Sequence, residues 1–176
     1  MKLRYQITVG LITLCIVGSF GAAKADDTAN AKKAIQTIYA KVASAAAKKD
    51  VKGMMAHLAP DYEEATLDGV TFKVATIKAK WEHAIQSVKA MKISTTITKL
   101  TLSGDKATVL NKATINMVGI SPRNDKDVIL ISEGTSEEQW EKKGGIWLEK
   151  RSKNLTLKQT RDGKEVQASS KKFKRP

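Results

Sequence analysis

The chain predicts an α+β domain in which a bent antiparallel sheet wraps around N-terminal helices, forming a cone with a pocket. Three observations carry this. Residues 28–49 and 74–90 repeat apolar side chains every three or four positions, the helical period. From residue 92 to residue 160 the period falls to two and Ile and Thr become frequent, as suits a pleated surface. Ser103-Gly104-Asp105 and Lys143-Gly144-Gly145 interrupt that run as turns, so its strands are joined by hairpins rather than by crossover helices.

In the first helix Ala31, Ile35, Ile38, Tyr39, Val42, Ala45 and Ala46 form one stripe, with Lys32, Lys33, Gln36, Lys41 and Lys48 opposite. Asp50 is placed to cap a short second helix over 51–58, closed by Pro60. Residues 62–67 read as a strand, Asp68-Gly69 as a turn and 70–72 as its return. The third helix buries Ile77, Trp81, Ala84, Ile85 and Val88. Strands are then expected over 92–102, 106–118, 128–142 and 146–160. On the second of these Ala107, Val109, Asn111, Ala113, Ile115 and Met117 share a face. On the third, Ser132, Ser136, Glu138 and Trp140 share one face and Glu133, Thr135, Glu137 and Gln139 the other, with nothing to say which looks inward.

The N-terminus is a different kind of segment. Lys2 and Arg4 precede an uncharged apolar run, Ile7 to Phe20, and Ala23-Lys24-Ala25 supplies the small residues of a cleavage site. The run is shorter than the about 20 residues a spanning helix needs. Residues 1–25 are therefore expected to be a secretory signal cleaved after Ala25, placing the mature chain in the periplasm or outside the cell. Residues 26–163 form one domain of ordinary size, and residues 164–176, ending Lys171-Lys172-Phe173-Lys174-Arg175, read as a basic disordered tail. The only cysteine, Cys15, lies in the leader, which excludes disulfides, thiol nucleophiles and thiolate metal sites downstream.

The chain is basic, with a net charge of +13, of which only Lys2, Arg4 and Lys24 belong to the leader. Anionic envelope surfaces and acidic small molecules are thereby partners to consider. Lysine dominates over arginine, the residue that reads phosphate by its fork, and no specific nucleic-acid recognition is expected. No phosphate loop, nucleophile elbow or metal-ligand spacing is present; no cofactor or metal is expected, and no catalytic residue is assigned.

In order and spacing these elements resemble the nuclear transport factor 2-like superfamily, the cone shared by ketosteroid isomerases and polyketide-cyclase-like (SnoaL-like) proteins. The segments that carry the likeness are Leu58-Ala59-Pro60-Asp61-Tyr62 before Leu67-Asp68-Gly69, and Trp140-Glu141-Lys142-Lys143-Gly144-Gly145-Ile146-Trp147. It covers about residues 29–160 and is nearest to exported bacterial members. The resemblance implies a pocket between the first and third helices and the concave sheet face, and pairing of two copies through the open sheet face. Isomerase members use a buried carboxylate and a tyrosine; the local analogues are Tyr39 and the Glu63-Glu64 pair. The base position itself holds Ala65 and Thr66, so the catalytic set does not carry over.

Tyr39, Met54, Met55, Tyr62, Glu63, Trp81, Met117, Trp140, Trp147 and Arg151 are the candidates to line the pocket. Methionine and tryptophan would give an adaptable apolar wall. Glu149 and Arg151 are expected to share a face with Trp147, and Glu137 or Glu138 to pair with Arg151, as a surface bridge or, inside the cone, as a polar anchor. His57 is expected to cap a helix or lie partly buried, and His83 to be exposed. The functional expectation is a binding or accessory protein for a small apolar or weakly acidic ligand. An isomerase, lyase or hydrolase using a pocket carboxylate, and a basic protein docking on polyanions or the envelope, are the alternatives.

Overall fold

The computed structural model describes residues 25–121 and 125–166. The expected signal peptide lies outside them except for Ala25, which opens the first helix. Helix α1 (Ala25–Ala47) is followed by a short α2 (Val51–Met55) and strands β1 (Leu58–Ala65) and β2 (Thr71–Lys73). Helix α3 (Val74–Ala84) and a 3-10 turn (Ile85–Ser87) lead into β3 (Val88–Ser103), β4 (Lys106–Ile120), β5 (Asp127–Lys143), β6 (Ile146–Arg161) and β7 (Lys164–Val166).

The strands form one seven-stranded sheet in the order β2-β1-β6-β5-β4-β3, with β7 beside β6. Three successive hairpins make β3 to β6 antiparallel. The sheet is nevertheless mixed, because β1 lies parallel to β6, against the expectation of a wholly antiparallel sheet. That pairing is broken between Leu58 and Glu63, around Pro60, which has no N–H to give to a ladder.

Four boundaries differ from the expectation. Helix α2 stops at Met55 and the strand after it begins at Leu58, so Pro60 sits inside β1. The third helix ends at Ala84, and Val88, which extended its apolar stripe, is the first residue of β3. Helix α1 closes at Ala47. Residues 164–166 pair with the end of β6 after a tight Asp162-Gly163 turn, so the tail begins as a strand; residues 167–176 are outside the description.

Helix α1 packs along β3 on one face of the sheet. Ala31, Ile35 and Tyr39 meet Ile97, Ala107, Val109, Trp140 and Trp147 in the main core. A second cluster joins Ala45 and Ala46 to Met54, Val88 and Met91, with Trp81, Ile93, Ile115 and Met117 against it. The inward stripe of β4 is thus the one its alternation marks out.

Two bulges in the β5–β6 hairpin set which side chains look inward. Opposite Trp140 stands Glu149 and opposite Gln139 stands Arg151, so Lys150 is the extra residue. A bulge shifts the phase of alternation, which leaves Trp147, Glu149 and Ser152 buried and Arg151 outside. Leu155 is skipped in the same way between Asn154 and Thr156. There the strands approach so closely that a Cβ on Gly134 would stand 2.6 Å from the Thr156 carbonyl oxygen.

Candidate functional site

At the centre of the helix-covered face lies a polar cluster enclosed by aromatic rings. Its focus is Glu138 on β5, only 7% exposed. The Tyr39 hydroxyl and the Trp140 indole N–H donate to Glu138 Oε2, the latter at 2.8 Å, and the Asn111 amide donates to Oε1. Asn111 is oriented in turn by Ser136, whose hydroxyl donates to its carbonyl at 3.0 Å. One carboxyl therefore gathers three donors from α1, β4 and β5. A buried carboxylate would otherwise cost several kcal/mol.

Beside it lies a second buried acid, Glu149 on β6, 4% exposed. His57, in the link between α2 and β1, holds its Nε2 3.2 Å from Glu149 Oε2 and stacks on Trp140 with ring centroids 5.7 Å apart. The Glu149 N–H donates to the His57 carbonyl at 2.9 Å, so backbone and side chain of the two residues are tied together. Tyr39 meets the other side of Trp140 edge-on at 5.9 Å. Tyr62 is buried with its hydroxyl facing Glu149 and Ser152.

Burial dominates the electrostatics. Desolvation, then the charge of Glu149, pushes Glu138 up to about 8, while its three donors pull the other way. Desolvation and the nearby Glu64 push Glu149 to about 8 as well. Burial depresses His57 to about 4. The Glu138 charge and the Met54 backbone oppose that shift, and Nδ1 is buried without a hydrogen-bond partner. Burial thus favours the uncharged form of both Glu149 and His57, and a proton on the Glu149 carboxyl lies within reach of Nε2 along a single contact. Desolvation and the surrounding carboxylates raise both Tyr39 and Tyr62, keeping them as donors.

The predicted candidates divide into three groups. Tyr39, Tyr62, Trp140 and Trp147 converge on this centre. Met54, Trp81 and Met117 belong to the second, apolar cluster, with Met55 half-buried next to Met54. Glu63 and Arg151 do not enter the interior. They face each other at 3.8 Å on the outside, so Arg151 pairs with neither Glu137 nor Glu138 and does not share the face of Trp147. The Lys150 bulge is the cause. His83 is exposed, as its position two residues from Trp81 implies.

Asn111, Glu149 and His57 are members that sequence reasoning did not place in the site, and Glu138, its focus, entered only as an alternative to Glu137 for pairing with Arg151. Asn111 interrupts an apolar stripe, and Glu138 and Glu149 each stand two residues from an inward tryptophan, which is the signal a polar residue on a core face leaves. Among the described residues no three His, Asp, Glu or Cys side chains converge as a metal-ligand set. Two shallow hollows on the described surface lie elsewhere, above Gly134 on the outer sheet face and along the exposed side of α1. Glu138 itself is 7% exposed and Trp140 beside it 1%.

No family model and no curated protein sequence matches the chain. Solved structures do. A scytalone dehydratase-like protein from Novosphingobium aromaticivorans is 17% identical, with a TM-score of 0.64 over 77% of this chain and 90% of that one. A hexachlorocyclohexane dehydrochlorinase (LinA, type 2) is 12% identical, with a TM-score of 0.56 over 75% and 90%. A nuclear transport factor 2-like protein of unknown function from Pseudomonas putida is 17% identical, with a TM-score of 0.50 over 72% and 86%. At these identities the likeness is one of fold.

Proposed function

We propose that this chain, which has the nuclear transport factor 2-like fold, is an exported protein that performs acid–base chemistry on a small ligand held against Glu138. The observation that carries the reading is the convergence of three donors from three elements on one buried carboxyl, with a proton-sharing Glu149–His57 pair beside it. A carboxyl poised near neutrality takes and returns a proton at ordinary pH far more readily than one near its usual value. In this reading Glu138 removes a proton from the ligand, Tyr39 and Asn111 hold the base, and the Glu149–His57 pair returns a proton to the departing or developing oxygen. His57 is the more exposed partner, 14% against 6% for the Glu149 side chain, and marks the side from which a ligand enters. The reaction class is elimination or isomerisation of a small neutral or weakly acidic molecule. The names of two structural neighbours, a dehydratase-like protein and a dehydrochlorinase, are of that class and lend it support.

A second reading, a binding or accessory module without turnover, is favoured by the tight enclosure of the same residues. One experiment separates the two. Protein isolated from its own cell envelope is analysed by native mass spectrometry, and any ligand released is returned to the protein in D2O. Deuterium entering a carbon–hydrogen bond of the ligand, and ceasing to enter in Glu138→Gln while binding persists, supports acid–base chemistry. Binding with no exchange, the same in both proteins, supports the accessory module.

A further inference from the structure

The charge of this protein is not evenly spread. Between residues 28 and 49 there is no acid and there are five lysines; between 88 and 104 there is no acid and there are three. The fold brings these two segments together, because α1 lies along β3, the edge strand of the sheet. Lys32, Lys33 and Lys41 on α1 and Lys48 just past its end are all exposed, and none forms an ion pair among the described residues. Lys92 and Lys99 on β3 are exposed too, without ion pairs among the described residues, but they alternate with Met91, Ile93, Ile97 and Leu100 and so lie on the sheet face away from α1. The carboxylates cluster on β1, β5 and β6, where the cross-strand ion pairs Lys150–Asp61 and Arg151–Glu63 form. Between the lysines of α1 the exposed residues are small or polar: a shallow hollow there is bordered by Ala29, Gln36, Thr37 and Ala40.

We propose that the outer face of α1, flanked by β3, docks the protein on an anionic lipid surface. The chemistry of the face selects that partner. Its cations are all ammonium groups, beyond a first turn that carries Asp26 and Asp27; it has no arginine fork to read a phosphate and no exposed aromatic ring to stack on a base, so it fits a surface that needs charge and not shape. The span helps: Lys32 and Lys41 are nine residues apart on the helix, about 14 Å at 1.5 Å per residue, and Lys48 follows just past its end. That exceeds the ~10 Å screening length at 0.1 M salt, so the face engages more than one headgroup at once.

The test uses the full chain and vesicles of phosphatidylcholine with or without about a quarter phosphatidylglycerol, and reads the ratio of the two affinities by co-sedimentation. The expected ratio is large at about 0.05 M salt and collapses at about 0.3 M. Each lysine near the surface is worth roughly a factor of five. The variant Lys32→Gln/Lys33→Gln/Lys41→Gln/Lys48→Gln should therefore lower the ratio by about six-hundredfold if all four lysines reach the surface. A control that removes the same charge from the other side, Lys142→Gln/Lys143→Gln/Lys153→Gln/Lys158→Gln, should lower it by less than a tenth as much. A ratio near one for the unaltered chain, equal losses in the two variants, or displacement from vesicles by duplex DNA at matched phosphate concentration would each overturn the proposal. The salt response of the unaltered chain needs no variant and stands if one fails to fold.

Discussion

Replacing Glu149 by Gln tests the buried acid pair through stability alone. A carboxyl whose value rises on folding, from 4.5 to about 8, binds its proton more tightly in the native state. Its contribution is complete at low pH and is lost as pH rises through about 8. His57 acts in the opposite sense: its folded value of about 4 lies below 6.5, so it favours folding increasingly from about pH 4 to 6.5 and is constant above. Between pH 6.5 and 8 the two acids act alone. At about 1.4 kcal/mol per unit, each loses roughly 2 kcal/mol across that span, about 4 kcal/mol together. In Glu149→Gln the side-chain amide can donate to His57 Nε2 as the protonated acid does, so stability at pH 6 should change by no more than about 1 kcal/mol. The variant also removes the neighbouring charge that raises Glu138. Its loss between pH 6.5 and 8 should therefore fall below about 2 kcal/mol. Urea unfolding followed by tryptophan fluorescence at half-unit pH steps measures both curves. Equal slopes for the two proteins would refute the shared burial of the pair.

Tyr39→Phe removes one of the three donors to Glu138 and should destabilise by about 1–3 kcal/mol in urea unfolding; the acid should also move further up, seen in the carboxyl carbon shift of labelled Glu138 during an NMR titration. Trp140→Ala empties the most enclosed large side chain and strips His57 and Tyr39 of their ring contacts, an expected loss of about 3–5 kcal/mol by the same assay. Gly134→Ala forces a methyl against the Thr156 carbonyl at 2.6 Å and should lower the melting temperature by several degrees, whereas Gly144→Ala, at an open turn with φ of 56°, should lower it less.

The architecture was legible because it rests on period. The three helices, the long alternating strands and the buried face of β4 all follow from spacing, and the order of elements points to the fold. The centre of the interior was only half legible. Tyr39 and Trp140 stand out as large residues on apolar stripes, but Glu138 lies on a strand whose two faces are equally polar, so alternation does not choose between them. The choice is made by Trp140, which must be buried and takes its i−2 neighbour inward with it. Arg151 went the other way for a different reason. Strict alternation from Trp147 brings it inside, and nothing in Lys150 or its neighbours announces the extra residue. His57 was read as part of a helix end because Pro60 looked like a stop; in the fold the helix ends earlier and the free segment carries the imidazole to Glu149.

The unpaired residue at position 150 has a consequence for how this interior could change over time. Deleting Lys150 would restore strict alternation without exchanging the occupants of the chamber: Glu149 would still stand opposite Trp140 and face inward, and Arg151, then its direct neighbour, would still stand opposite Gln139 and face outward. A descendant could thus lose this codon and keep both buried acids, giving up only the lysine that pairs with Asp61 on β1. Length variation at this point of the hairpin is therefore compatible with an unchanged interior.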